Sequence, residues 1–192
     1  MVKNMFIGIF LLTASLSFAQ QKEDFIRAGL LKADVAFNQS FMLQHKSKNV
    51  YLSGNMEYYT GKNLSFRGDC FWYLDSRKAN AVLKRNAIIL FGALLHMPKG
   101  RSDFFAGLQP GISITQPTTP TTSETILPLR MLPAISITLG YNLYFSKLCN
   151  FFIAANYLTS RYRGASNSSL RLDEFMISGG LGFHIQTKRL KS

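Results

Sequence analysis

The sequence is poor in the residues from which proteins most often build metal and redox sites. Its 192 residues include two cysteines, Cys70 and Cys149, and three histidines, His45, His96 and His184. The cysteine spacing matches no metal motif, and the histidines are scattered along the chain. No catalytic constellation follows from these residues, so we predict no enzyme activity, no catalytic residue, no cofactor and no metal site.

Long hydrophobic runs are absent beyond the N-terminus. Residues 1–19 combine a positive Lys3, the short apolar run Met5–Leu12 and small residues before Gln20, which is the pattern of a cleaved signal peptide. The alternative, an uncleaved anchor, is disfavoured because the apolar run is too short for a comfortable membrane span. We therefore predict a signal peptide at 1–19 and one exported domain at 20–192.

Acidic residues are scarce as well. Ten Asp and Glu stand against 22 Lys and Arg, which gives a net charge of +12. A basic excess often accompanies nucleic-acid binding, but export removes the chain from nucleic acid. Acidic lipid headgroups, such as lipopolysaccharide phosphates, are the better counter-charge. A generally basic, solvated surface is the alternative interpretation.

What the sequence has in abundance is alternation of apolar and polar residues, the pattern of strands with one greasy and one polar face. The predicted strands cover residues 27–43, 50–59, 64–74, 86–97, 103–115, 134–145, 148–162 and 172–185. The fourth segment is apolar on both faces, so a short buried helix would look similar. Pro110 predicts a bulge in the fifth strand, and the Pro- and Thr-rich stretch 116–125 predicts a loop.

Connection lengths add a second pattern. The connections after strands two, four and six are short, and the others are generally longer, as in outer-membrane barrels with short periplasmic turns and longer outer loops. Lipid satisfies no backbone polar group, so strands in a membrane must close into a barrel. We predict an all-β fold, an eight-stranded antiparallel up-and-down transmembrane β-barrel.

The composition of the polar face indicates whether that face lines the interior of the barrel or is exposed to bulk water. Gly, Ser, Thr, Asn and Ala dominate it, whereas the water-facing side of a soluble barrel would carry many more Lys and Glu. The few charges on three neighbouring strands nearly balance, and buried charges are costly unless paired. We predict that they form an interior salt-bridge cluster of Lys32, Asp34, Glu57, Arg67 and Asp69. A gated ion path is the alternative.

The last strand shows the two faces most plainly. Gly180, Gly182 and His184 share its small or polar face, and Leu181, Phe183 and Ile185 share its apolar face. We predict that this closing strand, represented by Gly180, Gly182, Phe183 and Ile185, pairs with residues 31–37. Its apolar side chains should face lipid.

The chain at this point resembles the small outer-membrane barrels of the OmpA/OmpX type and, more closely, the PorT-like group of Bacteroidetes. The likeness is carried by Ser17–Gln20, Pro110–Ser113, the strand Ile135–Phe145 and Gly180–Ile185. It implies the outer membrane of a Gram-negative bacterium as the location. It also implies the barrel assembly machinery as a partner in biogenesis, because Gly182–Ile185 looks like the strand signal which that machinery reads.

The function predicted from these features is a non-enzymatic outer-membrane protein without an open channel. Its outer loops would serve interaction or envelope integrity, with membrane lipid including lipopolysaccharide, or a protein, as partner. The predicted basic loop residues are Lys46, Lys48, Arg77, Lys78, Lys84, Arg85 and Arg163. The alternatives are an exported soluble lipocalin-like binding barrel and a lipid-modifying barrel enzyme using His45 with Ser40 or Ser47.

Overall fold

The computed structural model describes residues 25–45, 47–76, 82–119, 125–163 and 169–187 as strands joined by turns. The predicted signal peptide at 1–19 lies outside these residues. The strands are β1 (Leu30–Met42), β2 (Lys48–Tyr59), β3 (Leu64–Ser76), β4 (Leu83–Lys99), β5 (Ser102–Thr119), β6 (Thr125–Ile126), β7 (Arg130–Tyr144), β8 (Cys149–Arg163), β9 (Ser169–Arg171) and β10 (Glu174–Gln186). In the described part of the chain, no helix has the length and apolar character needed to cross a membrane.

Eight long strands form the closed wall of a barrel. Each pairs antiparallel with its neighbours in the order β1, β2, β3, β4, β5, β7, β8, β10. The ring closes because β10 pairs with β1, from Leu30 opposite Gln186 to Met42 opposite Glu174. The predicted eight-stranded antiparallel barrel and the predicted pairing of the last strand with residues 31–37 are both confirmed.

The two ends of the barrel differ in how the strands are connected. One end, the turn end, carries the short connections 60–63, 100–101 and 145–148 together with residues 25–29 and 187. The tightest connection is the two-residue turn between Lys99 and Ser102, where Gly100 has a φ of 61°, a conformation that favours glycine. The opposite end, the loop end, carries the other connections.

Short strands extend the wall at the loop end. β6 pairs with the end of β5, and β9 pairs with the end of β8. The predicted loop at 116–125 is therefore partly wrong, because β5 continues to Thr119 and Thr125 begins β6. The hydroxyl-rich sequence favours β-structure there despite its low complexity.

The outer face of the wall is apolar and the inner face is mixed. In β1, Val35 and Phe37 are exposed, Phe37 by 71%, while Lys32, Asp34 and Asn38 are buried. The alternation follows from the period of two in a strand, which sends successive side chains to opposite faces. Lys32 and Asp34, which the sequence predicts for the interior, are both on the buried side of this strand.

The fourth predicted segment, for which a short helix was the alternative, is a strand in the structure. Residues 83–99 form this strand, with Ile88 and Leu90 buried and Ile89 and Phe91 facing outward, so both of its faces are apolar.

The prediction of a bulge at Pro110 in β5 is wrong. The β4–β5 register is the same on both sides of it, and pairing is only interrupted opposite residues 109 and 110, where proline has no amide hydrogen to donate.

Candidate functional site

The five charged residues predicted for the interior meet in the half of the barrel nearer the turn end. Lys32 is completely buried, and its Nζ lies 2.9 Å from a carboxylate oxygen of Glu57 and 3.3 Å from one of Asp34. The same ammonium donates a hydrogen bond to the side-chain oxygen of Asn142 at 2.9 Å. Asp34 lies on β1 with Lys32, and Glu57 lies opposite Lys32 on β2. One ammonium group therefore forms ion pairs with carboxylates of two neighbouring strands.

Arg67 and Asp69 form the second ion pair of this cluster. They are two residues apart in β3 and therefore point to the same side of the wall. The guanidinium donates to the Asp69 carboxylate from Nε at 3.0 Å and from Nη2 at 2.7 Å, which is a bidentate contact. With its amide oriented to suit both neighbours, Asn55 donates to Asp34 at 3.0 Å and accepts from Arg67 at 3.2 Å. Asn55 thereby links the two ion pairs.

Two members of the cluster, His96 and Asp103, escape prediction from the sequence. The His96 ring lies between two carboxylates, with Nε2 2.9 Å from Glu57 and Nδ1 2.8 Å from Asp103. Ser65 also lies 2.8 Å from Nε2, but its hydroxyl hydrogen is donated to Glu57. Each ring nitrogen thus lies within hydrogen-bond distance of a carboxylate, and a neutral imidazole would leave one of the two nitrogens without a hydrogen to donate. The geometry therefore favours the imidazolium form, which offsets the extra carboxylate of Asp103.

Apolar side chains close the barrel at both ends. At the turn end the buried cluster is Ile26, Leu30, Tyr59 and Tyr144, with Phe25 packed against it. At the loop end it is Met42, Val82, Leu83, Leu132, Tyr162 and Leu172, with Tyr73, Leu127 and Leu170 packed against it. An eight-stranded barrel has an interior just wide enough for side chains to fill. The described residues fill it in this way.

A separate buried carboxylate, Glu174, lies in the half nearer the loop end. Its partners are hydroxyl groups: Ser40 donates to Oε2, and Tyr51 donates to Oε1 at 3.0 Å and to Oε2 at 3.1 Å. Among the described residues no cation forms an ion pair with Glu174. Neutral donors alone satisfy it, in contrast to the carboxylates of the charge cluster.

The closing strand is fitted closely to this interior. A Cβ added to Gly182 would overlap the Asp34 carboxylate, and one added to Gly180 would overlap the backbone oxygen of Val35. Phe183 and Ile185 alternate with these glycines and are exposed by 69% and 53%. Glycine therefore makes room for the Asp34 side chain, and the apolar residues of β10 form part of the outer face.

The predicted basic loop residues do not all lie in loops. Lys46, Arg77 and Lys78 are outside the described residues. Lys84 and Arg85 lie in β4, and Lys48 and Arg163 are the first residue of β2 and the last of β8. The loop assignment of these four is wrong, because the loop-end strands run further than the apolar alternation that marked their limits. All four side chains are exposed at the loop end.

Other basic residues join them to form a rim around the loop end, which we call the basic rim. Its described members are Lys48, Lys84, Arg85, Arg130, Arg161, Arg163 and Arg171, all exposed. Within the described residues the exposed acid of the loop end is Asp75, and the buried Asp173 pairs with Arg171 at 2.8 Å. Sequence reasoning missed Arg130, Arg161 and Arg171 because they lie in segments that were assigned to strands or left unassigned.

The three histidines and two cysteines lie on different strands or connections. His45 lies at the loop end, where Nε2 is 3.1 Å from the backbone oxygen of Arg171. The hydroxyl of Ser40 bonds Glu174, and that of Ser47 lies 3.3 Å from Asn49 and 3.2 Å from Ser76. Cys70 and Cys149 are free thiols on strands that do not pair. Over the described ranges, no group of His, Cys, Asp or Glu side chains could hold a metal ion.

Comparisons with known proteins show where this fold occurs. No protein-family model matches the sequence, and no curated protein matches it significantly. Among solved structures, Neisserial surface protein A (NspA) aligns with a TM-score of 0.59 at 13% identity, over 80% of this chain and 95% of that one. The outer membrane protein OprG of Pseudomonas aeruginosa aligns with a TM-score of 0.59 at 11% identity, over 84% and 98%.

A third solved structure is Ail, the attachment invasion locus protein of Yersinia pestis, in complex with the heparin analogue sucrose octasulfate. Its TM-score is 0.50 at 11% identity, over 82% of this chain and 99% of that one. At such identities the likeness concerns the fold alone. The chain therefore has the fold of the outer-membrane eight-stranded β-barrels.

Proposed function

We propose that this protein is an integral outer-membrane protein of a Gram-negative bacterium, with a signal peptide at 1–19 and a mature barrel from Gln20. One observation carries the proposal: the wall turns its apolar side chains outward and its charged side chains inward. Water around such a barrel would face large contiguous apolar surface, which soluble monomers rarely expose. Lipid around it explains the arrangement, since the interior then satisfies the polar groups.

The experiment that tests this proposal is fractionation with gel migration. The full chain is expressed in a Gram-negative host, and membranes are separated and run with and without boiling. We expect the protein in the outer-membrane fraction, extracted only by detergent, with faster migration before boiling because the closed barrel resists unfolding. Recovery in the soluble periplasm without detergent would instead establish the lipocalin-like alternative and reject the membrane proposal.

The filled interior supports a role other than conduction. Apolar clusters close both ends, and ion pairs occupy the space between them. We therefore infer a structural or binding protein of the envelope, in the manner of the small OmpA/OmpX-type and PorT-like barrels that the sequence resembles, with assembly by the barrel assembly machinery. Planar-bilayer recordings should show no stable unitary conductance, and a regular channel would overturn this inference.

A non-enzymatic role is supported by the surroundings of His45. A lipid-modifying enzyme of this size would need a histidine acting on a nucleophile near the outer leaflet. His45 instead contacts the backbone of Arg171, and the hydroxyls of Ser40 and Ser47 are engaged elsewhere. If lipid A from cells lacking the gene were altered, and only the His45→Ala variant failed to restore it, the enzyme alternative would replace this proposal.

The basic rim supports an interaction with acidic surface ligands. Seven exposed cations stand beside one exposed acid among the described residues at the loop end. Ail, which has this fold, is known in complex with a sulfated heparin analogue. The test is binding of sucrose octasulfate by the folded protein and by a variant with three residues of the basic rim, Lys84, Arg85 and Arg163, changed to Gln.

The control for that test changes Lys62, Lys99 and Lys147 at the turn end to Gln. We expect the rim variant to lose most of its affinity and the turn-end variant to keep it, with both affinities falling as salt rises. Equal binding by the two variants would reject the rim as the interaction surface and leave the membrane proposal untouched.

A further inference from the structure

An apolar groove of about 410 Å³ opens on the outer face of the wall at the loop end, across β3, β4 and β5. Trp72 and Leu74 of β3 line one side of it, Leu129 lies at the loop end, and Lys84 and Arg85 stand at its edge. We propose that this groove binds an anionic phosphorylated lipid of the outer leaflet. The proposal rests on the membrane location proposed above and adds a specific site to it.

An irregularity in β4 builds the cationic edge of the groove. The β4–β5 register shifts between Leu83 and Arg85. A regular strand would send Lys84 and Arg85 to opposite faces, but here Leu83 and Asn86 are buried while the two basic residues between them are both exposed. A β-bulge re-aims side chains in this way. Two adjacent cations therefore lie on the lipid-facing side of the wall.

These cations have no acidic partner within the structure described. Among the described residues, no carboxylate forms an ion pair with Lys84 or Arg85. The exposed acid of this end, Asp75, accepts a hydrogen bond from the backbone nitrogen of Ser76 at 2.7 Å. The interior cations differ, since Lys32 and Arg67 are both paired. The two cations at the groove are thus available to an anion from outside.

The apolar part of the groove indicates what kind of anion. Trp72 is exposed by 61%, Leu74 by 47% and Leu129 by 53%, and Ala87 leaves space between the larger side chains. A free anion gains nothing from such a surface, whereas a lipid can place its phosphate on the cations and an acyl chain along the groove. Tryptophan also favours the boundary between headgroups and hydrocarbon. Charge and apolar lining together fit a phosphorylated lipid.

Trp72 gives the proposal a direct probe, because it is the only tryptophan in the chain. The full mature protein is refolded into phosphatidylcholine nanodiscs, and its emission is followed as lipid A is added. Two parallel titrations use dephosphorylated lipid A and inorganic phosphate. The variant is Lys84→Gln with Arg85→Gln, and the matched control is Lys99→Gln, an exposed lysine at the other end of the same strand. Native mass spectrometry counts the lipid that remains bound.

We expect a saturable change in Trp72 emission with lipid A, and no such change with dephosphorylated lipid A or inorganic phosphate. Basic side chains near a membrane surface attract its anionic lipids, so removing two of them should raise the half-saturating concentration by about 30-fold. The Lys99→Gln control should bind as the parent does. Both substituted side chains are exposed, so the variants should insert and show heat-modified migration.

Three results would overturn the groove as a lipid site. These are an equal response to dephosphorylated lipid A, a response to inorganic phosphate alone, and unchanged binding by the double variant in a folded barrel. A parent protein that does not insert into nanodiscs would instead overturn the membrane location itself. The two failures are distinguishable because insertion is scored by migration before any lipid A is added.

Discussion

The outer and inner faces of the barrel wall come from the same strands and carry opposite chemistry. In β1, Val35 and Phe37 face outward, while Lys32 and Asp34, at even-numbered positions of the same strand, are buried in an ion-pair network. Contacts on the outer face are of the kind between the Phe66 and Phe91 rings, whereas ion pairs and hydrogen bonds hold the inner face together. Because side chains alternate along a strand, the same strand presents apolar side chains to the surroundings of the barrel and ion-paired side chains to its interior.

The difference also predicts how tolerant each face is. On the outer face an apolar residue can be exchanged for another, because only its hydropathy matters in contact with lipid. In the charge cluster of the inner face each ionic group depends on a particular neighbour, and removing one member leaves another buried without compensation. Substitutions on the two faces should therefore lower the free energy of unfolding by different amounts and for different physical reasons.

The largest effect is expected from breaking the inner face at Lys32. Replacing Lys32 by Met leaves Asp34 and Glu57 buried without their shared cation, which should lower the free energy of unfolding by about 3–5 kcal/mol. Guanidinium titration of the protein in lipid vesicles measures this loss. The control Lys99→Met removes an exposed lysine and should cost no more than about 0.5 kcal/mol. A similar loss in both variants would contradict the role given to the interior cluster.

The next effect comes from placing a charge on the outer face. Ile137 lies midway along β7 and is exposed, so Ile137→Arg would put a charge near the middle of the membrane at a cost of about 2–4 kcal/mol. The same titration in vesicles measures it, with Ile137→Leu as control. A barrel whose outer face met water would show no loss and would become more soluble without detergent.

A smaller effect separates two neighbouring glycines on opposite faces. Gly182→Ala would drive a methyl group into the Asp34 carboxylate and should cost about 1–3 kcal/mol through the displaced ion pair. Gly179 is exposed, and a Cβ there would come no closer than 3.8 Å to the backbone oxygen of Phe152. Gly179→Ala should therefore leave the unfolding midpoint nearly unchanged. Equal midpoints for the two variants would mean that Gly182 is not needed for the interior.

Much of the fold can be predicted from the sequence because a strand repeats every two residues. That period is enough to assign the two faces of β10 and the pairing of β10 with β1 in the closed ring. It was not enough at strand ends. Lys84 and Arg85 lie in β4 because pairing with β5 continues to Leu83, beyond the limit of 86 that the alternation predicts. The periodicity of side chains carries no information on backbone pairing.

The interior cluster shows the same limit in another form. Lys32, Asp34 and Glu57 were predictable because charges on a small, polar face must meet and pair. His96 and Asp103 were missed because each stands in or beside an apolar run, and only three-dimensional pairing brings them to Glu57. The register shift that leaves both Lys84 and Arg85 exposed is likewise a property of two strands together. Contacts between side chains of different strands cannot be predicted from the pattern of each strand alone.

The central claim is that the outer face of this barrel lies in lipid, and Trp72 tests it most directly. It is the only tryptophan, it belongs to β3, and 61% of its surface faces outward. The protein is folded into vesicles, and its emission is measured with brominated acyl chains and with aqueous acrylamide. We predict strong quenching by the brominated lipid and weak quenching by acrylamide. Strong quenching by acrylamide with none by the brominated lipid would contradict the account.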